Sequence, residues 1–576
     1  MIRELASLAD GAAYDLIVVG AGGAGMAAAL FGAIAGKKVL LIERTEYLGG
    51  TTALSAATTW IPNSQHSRTV SPDDSFEKAA GFLDRIVGNH GRREQRLAFL
   101  ESGPRAVETL ERHSDVHFRP YATHPDYEQQ IEGASLRGRA LEPLPFDGRQ
   151  LGKALDLIRP PIPEFTILGG MMVDRTDIGH LLGLKSSWAS FSHATKILAR
   201  HGVDRLKGKR GTRLVMGNAL IGRLLASLMK RDVDIVTETS VMELQRDANG
   251  VSGVVLEGKG ARRQIGAKLG VITAAGGFNR HATRRGEMLH QPVSDYSPSA
   301  PGHTGAMQDL AIGLGARFGE GSADHAFWAP VSIRKRSDGS TAVFPHFVLD
   351  RGKPGTVCVN SRGRRFVNES TSYHRFVRAM YDTNATAPCI PTFIIADAEA
   401  LKKYGLGMVR MGTRNLKPFI ADGYLVEGHT IADLATKLGL DATALEQTVA
   451  DMNRFAETGI DTEFGRGSTD YHRVNGDASH KPNPNLGPIR TAPFYAVRLV
   501  PGDIGAATGL ATDEWAQVLG EGNQPIGRLY ACGNEMQSIM GGVYPAPGIT
   551  IGPGITFAWR AVQHAIGAAE TAAKQS

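Results

Sequence analysis

The sequence predicts an α/β protein in which a parallel-sheet, nucleotide-binding domain is interrupted by an inserted α+β domain. Three observations carry that prediction. A strand, a glycine-rich turn, a helix and a second strand follow one another within residues 14–43. Strand-like runs return around 494–499 and 528–533, after a long stretch of different character. The composition also shifts twice, at the Ser- and Pro-rich 294–302 and at the Gly-, Pro- and Asn-rich 474–490. These are the places where a chain would leave the first domain and return. The division is 1–290 with 485–576 for the discontinuous domain, and 291–484 for the insertion.

Residues 14–19 (YDLIVV) form an apolar, β-branched run, the pattern of a buried parallel strand. The alanine-rich stretch from Met26 to Ala35 reads as a helix that Gly36 ends, and 38–42 (KVLLI) reads as a second buried strand. Between strand and helix stands Gly20-x-Gly22-x-x-Gly25. In such a turn the first glycine allows the tight bend. The second lets backbone approach a pyrophosphate, and the third lets helix pack on strand. The helix N-terminus then faces the anion. Glu43, followed by Arg44, closes the second strand, where a carboxylate accepts hydrogen bonds from a ribose. Together these features identify a Rossmann-type dinucleotide site.

Residues 77–112 and 214–230 read as helices with one apolar face, and 231–275 as short strands completing the first domain. In the insertion, 356–369 (TVCVNSRGRRFVNE) reads as a hairpin turning at Ser361, Arg362 and Gly363. A C-terminal helix closes the chain.

The hydrophobic content of 42% and charged content of 21% are those of a globular enzyme with a large core. Cys358, Cys389 and Cys532 are far apart and odd in number, so neither a disulfide framework nor a zinc site is expected. The 18 histidines show no metal-binding spacing, and no metal is expected. A net charge of +6 over 576 residues is mild and offers no dense basic stripe for nucleic acid. One basic stretch, Arg200, Arg205, Lys207, Lys209, Arg210 and Arg213, is expected to be a solvated surface, with membrane-surface contact the less favoured alternative. No window of 18 uncharged apolar residues predicts a membrane span. Met1 to Tyr14 lacks a signal-peptide core, and the expectation is a cytoplasmic protein.

Which dinucleotide binds is indicated beyond Glu43. Gly49, Gly50, Thr51 and Thr52, with Ser55 close behind, form a second glycine-rich turn that resembles the flavoprotein pattern around FAD. Leu529 to Asn534, ending in Gly533 and Asn534, resembles the second FAD motif. Ala275, Gly276 and Ile549 belong to the same expected FAD set. No second GxGxxG sits in a βαβ unit, so an NAD(P) domain is not expected and the electrons leave to another external acceptor: a quinone, a dye-like carrier or oxygen.

Motifs along most of the chain resemble the fumarate reductase/succinate dehydrogenase flavoprotein superfamily, and within it the 3-ketosteroid Δ1-dehydrogenases. They are GGTTALSAATTWIPN (49–63), PDY (125–127), ITAAGGF (272–278), FWAP (327–330), GRRFVNESTSY (363–373), DTEFGRG (461–467) and VYPAPGITIGP (543–553). The resemblance implies a Rossmann-type (GR2-like) FAD-binding domain with an inserted α+β catalytic domain. It implies desaturation of a cyclic ketone, in which the flavin takes a hydride from the β carbon and a tyrosine takes the α proton. Carried over, Tyr373 is the base and Tyr127 its assistant, with Tyr121 a nearby rival. Tyr544 and Gly548 are the ketone-oxygen binders. The chemistry supports the assignment, because an α C–H becomes acidic only when its carbonyl is polarised, and a positioned donor contributes roughly 10²–10³ in rate. A 3-ketosteroid is the first substrate expected, and a small ketone of the cyclohexanone or 4-oxocyclohexanecarboxylate type the alternative. A fumarate-reductase-like alkene reductase and a non-catalytic flavin electron carrier are the rivals. His374 is expected at the surface, and Trp328 as pocket wall or core. Residues 150–215, longer than in the steroid enzymes, are expected to be a lid or a surface excursion.

Overall fold

The computed structural model describes residues 1–121, 123–184, 187–208 and 210–575. The predicted βαβ unit is present as β1 (Ala13–Val19), α1 (Gly23–Ile34) and β2 (Val39–Ile42). Leu16, Ile17, Val18, Leu40 and Leu41 are fully buried. This explains the uninterrupted apolar runs, since helices cover both faces of a parallel sheet. The predicted helix over 77–112 is two helices, α2 (Phe76–Val87) and α3 (Arg93–His113). Gly88, at φ +56°, breaks them apart. Then come α4 (Met216–Met229), β3 (Asp234–Val236) and a three-stranded meander of β4 (Ser240–Asp247), β5 (Gly250–Gly258) and β6 (Ala261–Thr273).

The second set of strands begins with β7 (Ala326–Lys335), β8 (Thr341–Pro345) and β9 (Thr356–Val359). It continues through α5 (Tyr373–Asn384), β10 (Thr392–Ala396) and β11 (Leu425–Gly428) to β12 (Phe494–Ala506). The chain closes with β13 (Gln517–Leu519), β14 (Pro525–Ala531) and α6 (Ile551–Gln575).

Two sheets result. In the first, β3, β2, β1, β6 and β14 run parallel, with β4 and β5 continuing antiparallel from the first half of β6. In the second, the order is β8–β7–β12–β10–β9, with β11 also on β12. The predicted hairpin at 356–369 does not form. Gly363 makes its turn, but β9 pairs with β10 instead. The returning segment is polar for a reason: Arg365 holds Glu369 and Asp461 at 2.8 Å, all three buried, which pins the loop by charge rather than by a ladder.

β12 lies wholly in the second sheet, although the sequence division assigns it to the returning nucleotide-binding segment. We therefore propose a boundary after Ala506 in place of 484/485. Among the described residues no helix is long and apolar enough to cross a membrane, and the three cysteines are free and buried.

Candidate active site

One continuous cavity of about 900 Å³ runs from the C-terminal ends of β1, β2, β6 and β14 to the inner face of the second sheet. Its nucleotide end is built by the first glycine turn. Gly20 has φ +103°, and a Cβ there would lie 2.4 Å from the Ala274 carbonyl oxygen. A Cβ on Gly25 would lie 1.8 Å from the Gly20 oxygen, so Gly25 packs behind the turn rather than in the cleft. Around Gly22 there is open space, and this glycine lines the cavity. Glu43 is buried, accepting from the Ala21 N–H at 3.0 Å and from Thr45 at 2.8 Å while facing the cleft.

The second turn locks onto the first. The Gly49 N–H donates to Ala21 at 2.7 Å, and Thr52 Oγ1 accepts from Gly23 at 3.2 Å. Arg44 donates to Thr304, and the Ser55 hydroxyl donates to the Thr52 carbonyl at 2.8 Å. Arg44, Gly50, Thr51, Thr52, Ser55, Ala275, Gly276, Gly533 and Asn534 line the cavity. Gly49 is braced by Ala53 and Ile221, and Ile549 lies in the core, so neither reaches the cleft.

At the other end all four proposed chemistry residues, Tyr127, Tyr373, Tyr544 and Gly548, line the same cavity. Tyr373 opens α5 behind the N-cap Ser372, which accepts from Arg375. Tyr127 donates to the Tyr373 hydroxyl at 3.1 Å. The Tyr544 ring lies edge-on to Tyr373, with centroids 5.1 Å apart, and stacks on Tyr127 at 5.8 Å. Gly548 has φ +89°, and a Cβ there would strike the Thr58 carbonyl at 2.4 Å. Only glycine fits that turn. Among the described residues no acceptor takes its N–H. Burial pushes the Tyr127 and Tyr373 phenols well above 10. Burial also lifts Tyr544 to about 12, with the neighbouring Tyr373 hydroxyl working in the opposite direction.

A family model for the FAD binding domain matches residues 15–551. The chain belongs to that family. Its FAD-dependent dehydrogenase character, acting on CH–CH bonds, follows from full-length relatives. The chain is 36% identical to 4-oxocyclohex-2-ene-1-carboxylate 5-dehydrogenase of Sinomonas cyclohexanicum, over 95% of this chain and 93% of that one. It is 32% identical to 3-oxosteroid 1-dehydrogenase of Mycolicibacterium smegmatis, over 96% and 97%. Among solved structures it superposes on 3-ketosteroid Δ1-dehydrogenase from Sterolibacterium denitrificans, in complex with 1,4-androstadiene-3,17-dione. The TM-score there is 0.90 and the identity 33%, covering 96% of this chain and 100% of that one.

The residues of this flavoenzyme fit FAD. The open space at Gly22, the N-terminus of α1 and the Glu43 carboxylate form a cradle for a dinucleotide. Sequence reasoning missed one wall of that cradle. Pro298, Ala300, Gly302, His303 and Thr304 line it, so 294–302 is more than a linker. The Ala300 N–H reaches Thr51 Oγ1 at 2.9 Å. The signal was present in HTGAM, a glycine at φ +74° opening a helix. Tyr471, Phe347 and His124 were missed at the substrate end because they stand in no motif.

Two other expectations change. His374 is buried, accepts from the Trp328 N–H at 3.3 Å and is held down at about 4 by burial. Trp328 is core: its indole donates to Asp324, and it does not line the cavity. The basic stretch is not uniformly solvated. Arg213 pairs with Asp177, Arg200 pairs with Asp147, and Arg210 turns inward to the Ile158 carbonyl, its pKa lowered to about 10 by burial. Lys209 lies outside the described residues. These arginines anchor the 150–215 segment, which contributes Arg159, Ile162 and Arg175 to the cavity wall.

Proposed function

We propose that the enzyme introduces a double bond between the carbons α and β to the carbonyl of a cyclic ketone. The observation that carries this reading is the meeting of Tyr544, the unengaged N–H of Gly548 and the Tyr127–Tyr373 pair in one cavity. Tyr544 and Gly548 donate to the carbonyl oxygen and stabilise the charge that develops there as the α C–H is broken. Tyr373, as its phenolate, accepts the α proton and becomes the neutral phenol, and the Tyr127 hydroxyl, which donates to it at 3.1 Å, stabilises that phenolate before the transfer. FAD, when bound, supplies the acceptor for the hydrogen and electron pair leaving the β carbon. Phe327, edge-on to Tyr544 at 5.1 Å, and Phe347, edge-on to Tyr373 at 5.0 Å, keep water from the reacting oxygen. Because burial raises Tyr373, its phenolate is a minor form near neutral pH, and polarisation of the carbonyl by Tyr544 and Gly548 makes the α C–H acidic enough for that form to act.

A 3-oxosteroid is the first substrate to test, because the likeness to a steroid-bound relative extends over the whole chain. A single-ring oxo acid is the second, because the Sinomonas relative is named for one. The electron acceptor is external. Tyr544→Phe should lower kcat by about 100-fold while the yellow FAD stays bound. Wild-type turnover in that variant would remove the carbonyl-binding role. A flavin that no ketone bleaches, but that fumarate reoxidises after chemical reduction, would favour the reductase.

A further inference from the structure

We infer that Arg175, with His124, forms a carboxylate-binding subsite at the tyrosine end of the cavity, so that the preferred ketone carries an acid group. The inference rests on the desaturase reading above and specifies its substrate. Three arginines line the cavity. Arg44 and Arg159 stand at the nucleotide end, bonded to Thr304 and Thr45. Arg175 is at the other end, with its guanidinium over the Tyr121 ring at 5.2 Å.

Among the described residues no carboxylate pairs with Arg175, and the neighbouring acids are taken. Asp174 caps its own helix, Arg175–Leu182, and faces Arg119 at 3.6 Å. Asp177 is held by Arg213 and His193. Glu128 is held by Arg375, and Asp350 by His346. An exposed cation facing a largely apolar cavity without a counter-ion is a place for an anionic ligand.

The second observation is independent. His124 lines the same wall, between Tyr121 at 4.9 Å and Tyr127 at 6.4 Å, and its buried Nδ1 has no hydrogen-bond partner. A buried polar atom without a partner is costly, and a turn of the His124 ring toward a carboxylate in the cavity would supply one. Burial and the charge of Arg175 hold this imidazole neutral, so it offers an N–H rather than a second cation. Arg175 and its helix belong to the 150–215 segment, which the sequence reading expects to differ from the steroid enzymes.

The carboxylate could sit on a single ring or on a steroid side chain, and matched acid and ester pairs distinguish the two. Holoenzyme turnover should be compared for 4-oxocyclohexanecarboxylate and 3-oxochol-4-en-24-oate, each against its methyl ester. At least one acid should exceed its ester in kcat/KM on the order of 10- to 100-fold, mainly through KM. R175A should abolish that preference, and R175K should restore part of it. Which acid is preferred assigns the ring size. A ratio near one for both pairs, or a preference that survives R175A, overturns the subsite. Cyclohexanecarboxylate, which has no ketone and cannot react, supplies a readout without turnover. It should perturb the flavin absorbance saturably, and far more weakly in R175A and H124A. An undiminished perturbation in R175A counts against the subsite even if no ketone is ever oxidised. Failure of every ketone to reduce the flavin would instead sink the desaturase reading.

Discussion

A buried phenol is a poor base at neutral pH, and Tyr373 is buried among Tyr127, Tyr544 and Phe347. The consequence is a specific pH profile. As the proposed base, Tyr373 must lose its proton to act, and burial raises its pKa well above 10, so the reactive fraction grows as pH rises. The rate of flavin reduction by substrate should therefore climb through the alkaline range without a plateau below about 10. Tyr373→Phe should remove the climb along with most of the activity. A plateau near pH 7 would mean that a different group takes the proton. Tyr373, Tyr544 and Gly548 were legible in the sequence because each sits in a dense motif. His124 and Arg175 were not, because they stand in no motif and only the fold brings them to the same cavity wall. His374 was misread because it lies on α5 while its neighbour Trp328 is in β7, and nothing local says that both are inside.

At the scale of elements, the first glycine turn assigns different work to glycines that look alike in sequence. A Cβ at Gly25 would collide with the Gly20 oxygen at 1.8 Å, whereas at Gly22 it would meet nothing and point into the cleft. Gly25→Ala should lower the melting temperature of the FAD-free protein, with a cost of at least about 1–3 kcal/mol, and should abolish FAD retention. Gly22→Ala should leave that melting temperature near wild type and still retain little FAD. Equal behaviour of the two in both measurements would contradict this division. The βαβ unit was readable because buried parallel strands are continuous apolar runs. The 356–369 hairpin was misread because its turn residues are genuine but its second arm is governed by Arg365, Glu369 and Asp461, a charge network no local pattern announces. The break at Gly88 was missed because the apolar face continues on both sides of it.

For the molecule as a whole, one cavity joins two sheets: the parallel sheet presents the nucleotide cradle, the second sheet forms the facing wall, α5 presents Tyr373, and loops bring in Tyr127 and Tyr544. This arrangement puts the glycine turn of residues 20–25 and the YPAPG segment of residues 544–548, more than five hundred residues apart, on the walls of the same space. The sequence reading found both ends but divided the chain before β12, the strand that carries the second sheet back toward the nucleotide side. The central claim is that this space oxidises a ketone. The direct measurement is anaerobic mixing of the holoenzyme with one equivalent of a cyclic ketone, following the flavin absorbance and analysing the product. The account predicts bleaching of the oxidised flavin band with formation of the conjugated enone in equal amount. A flavin that stays oxidised in the presence of steroid and single-ring ketones alike would contradict it.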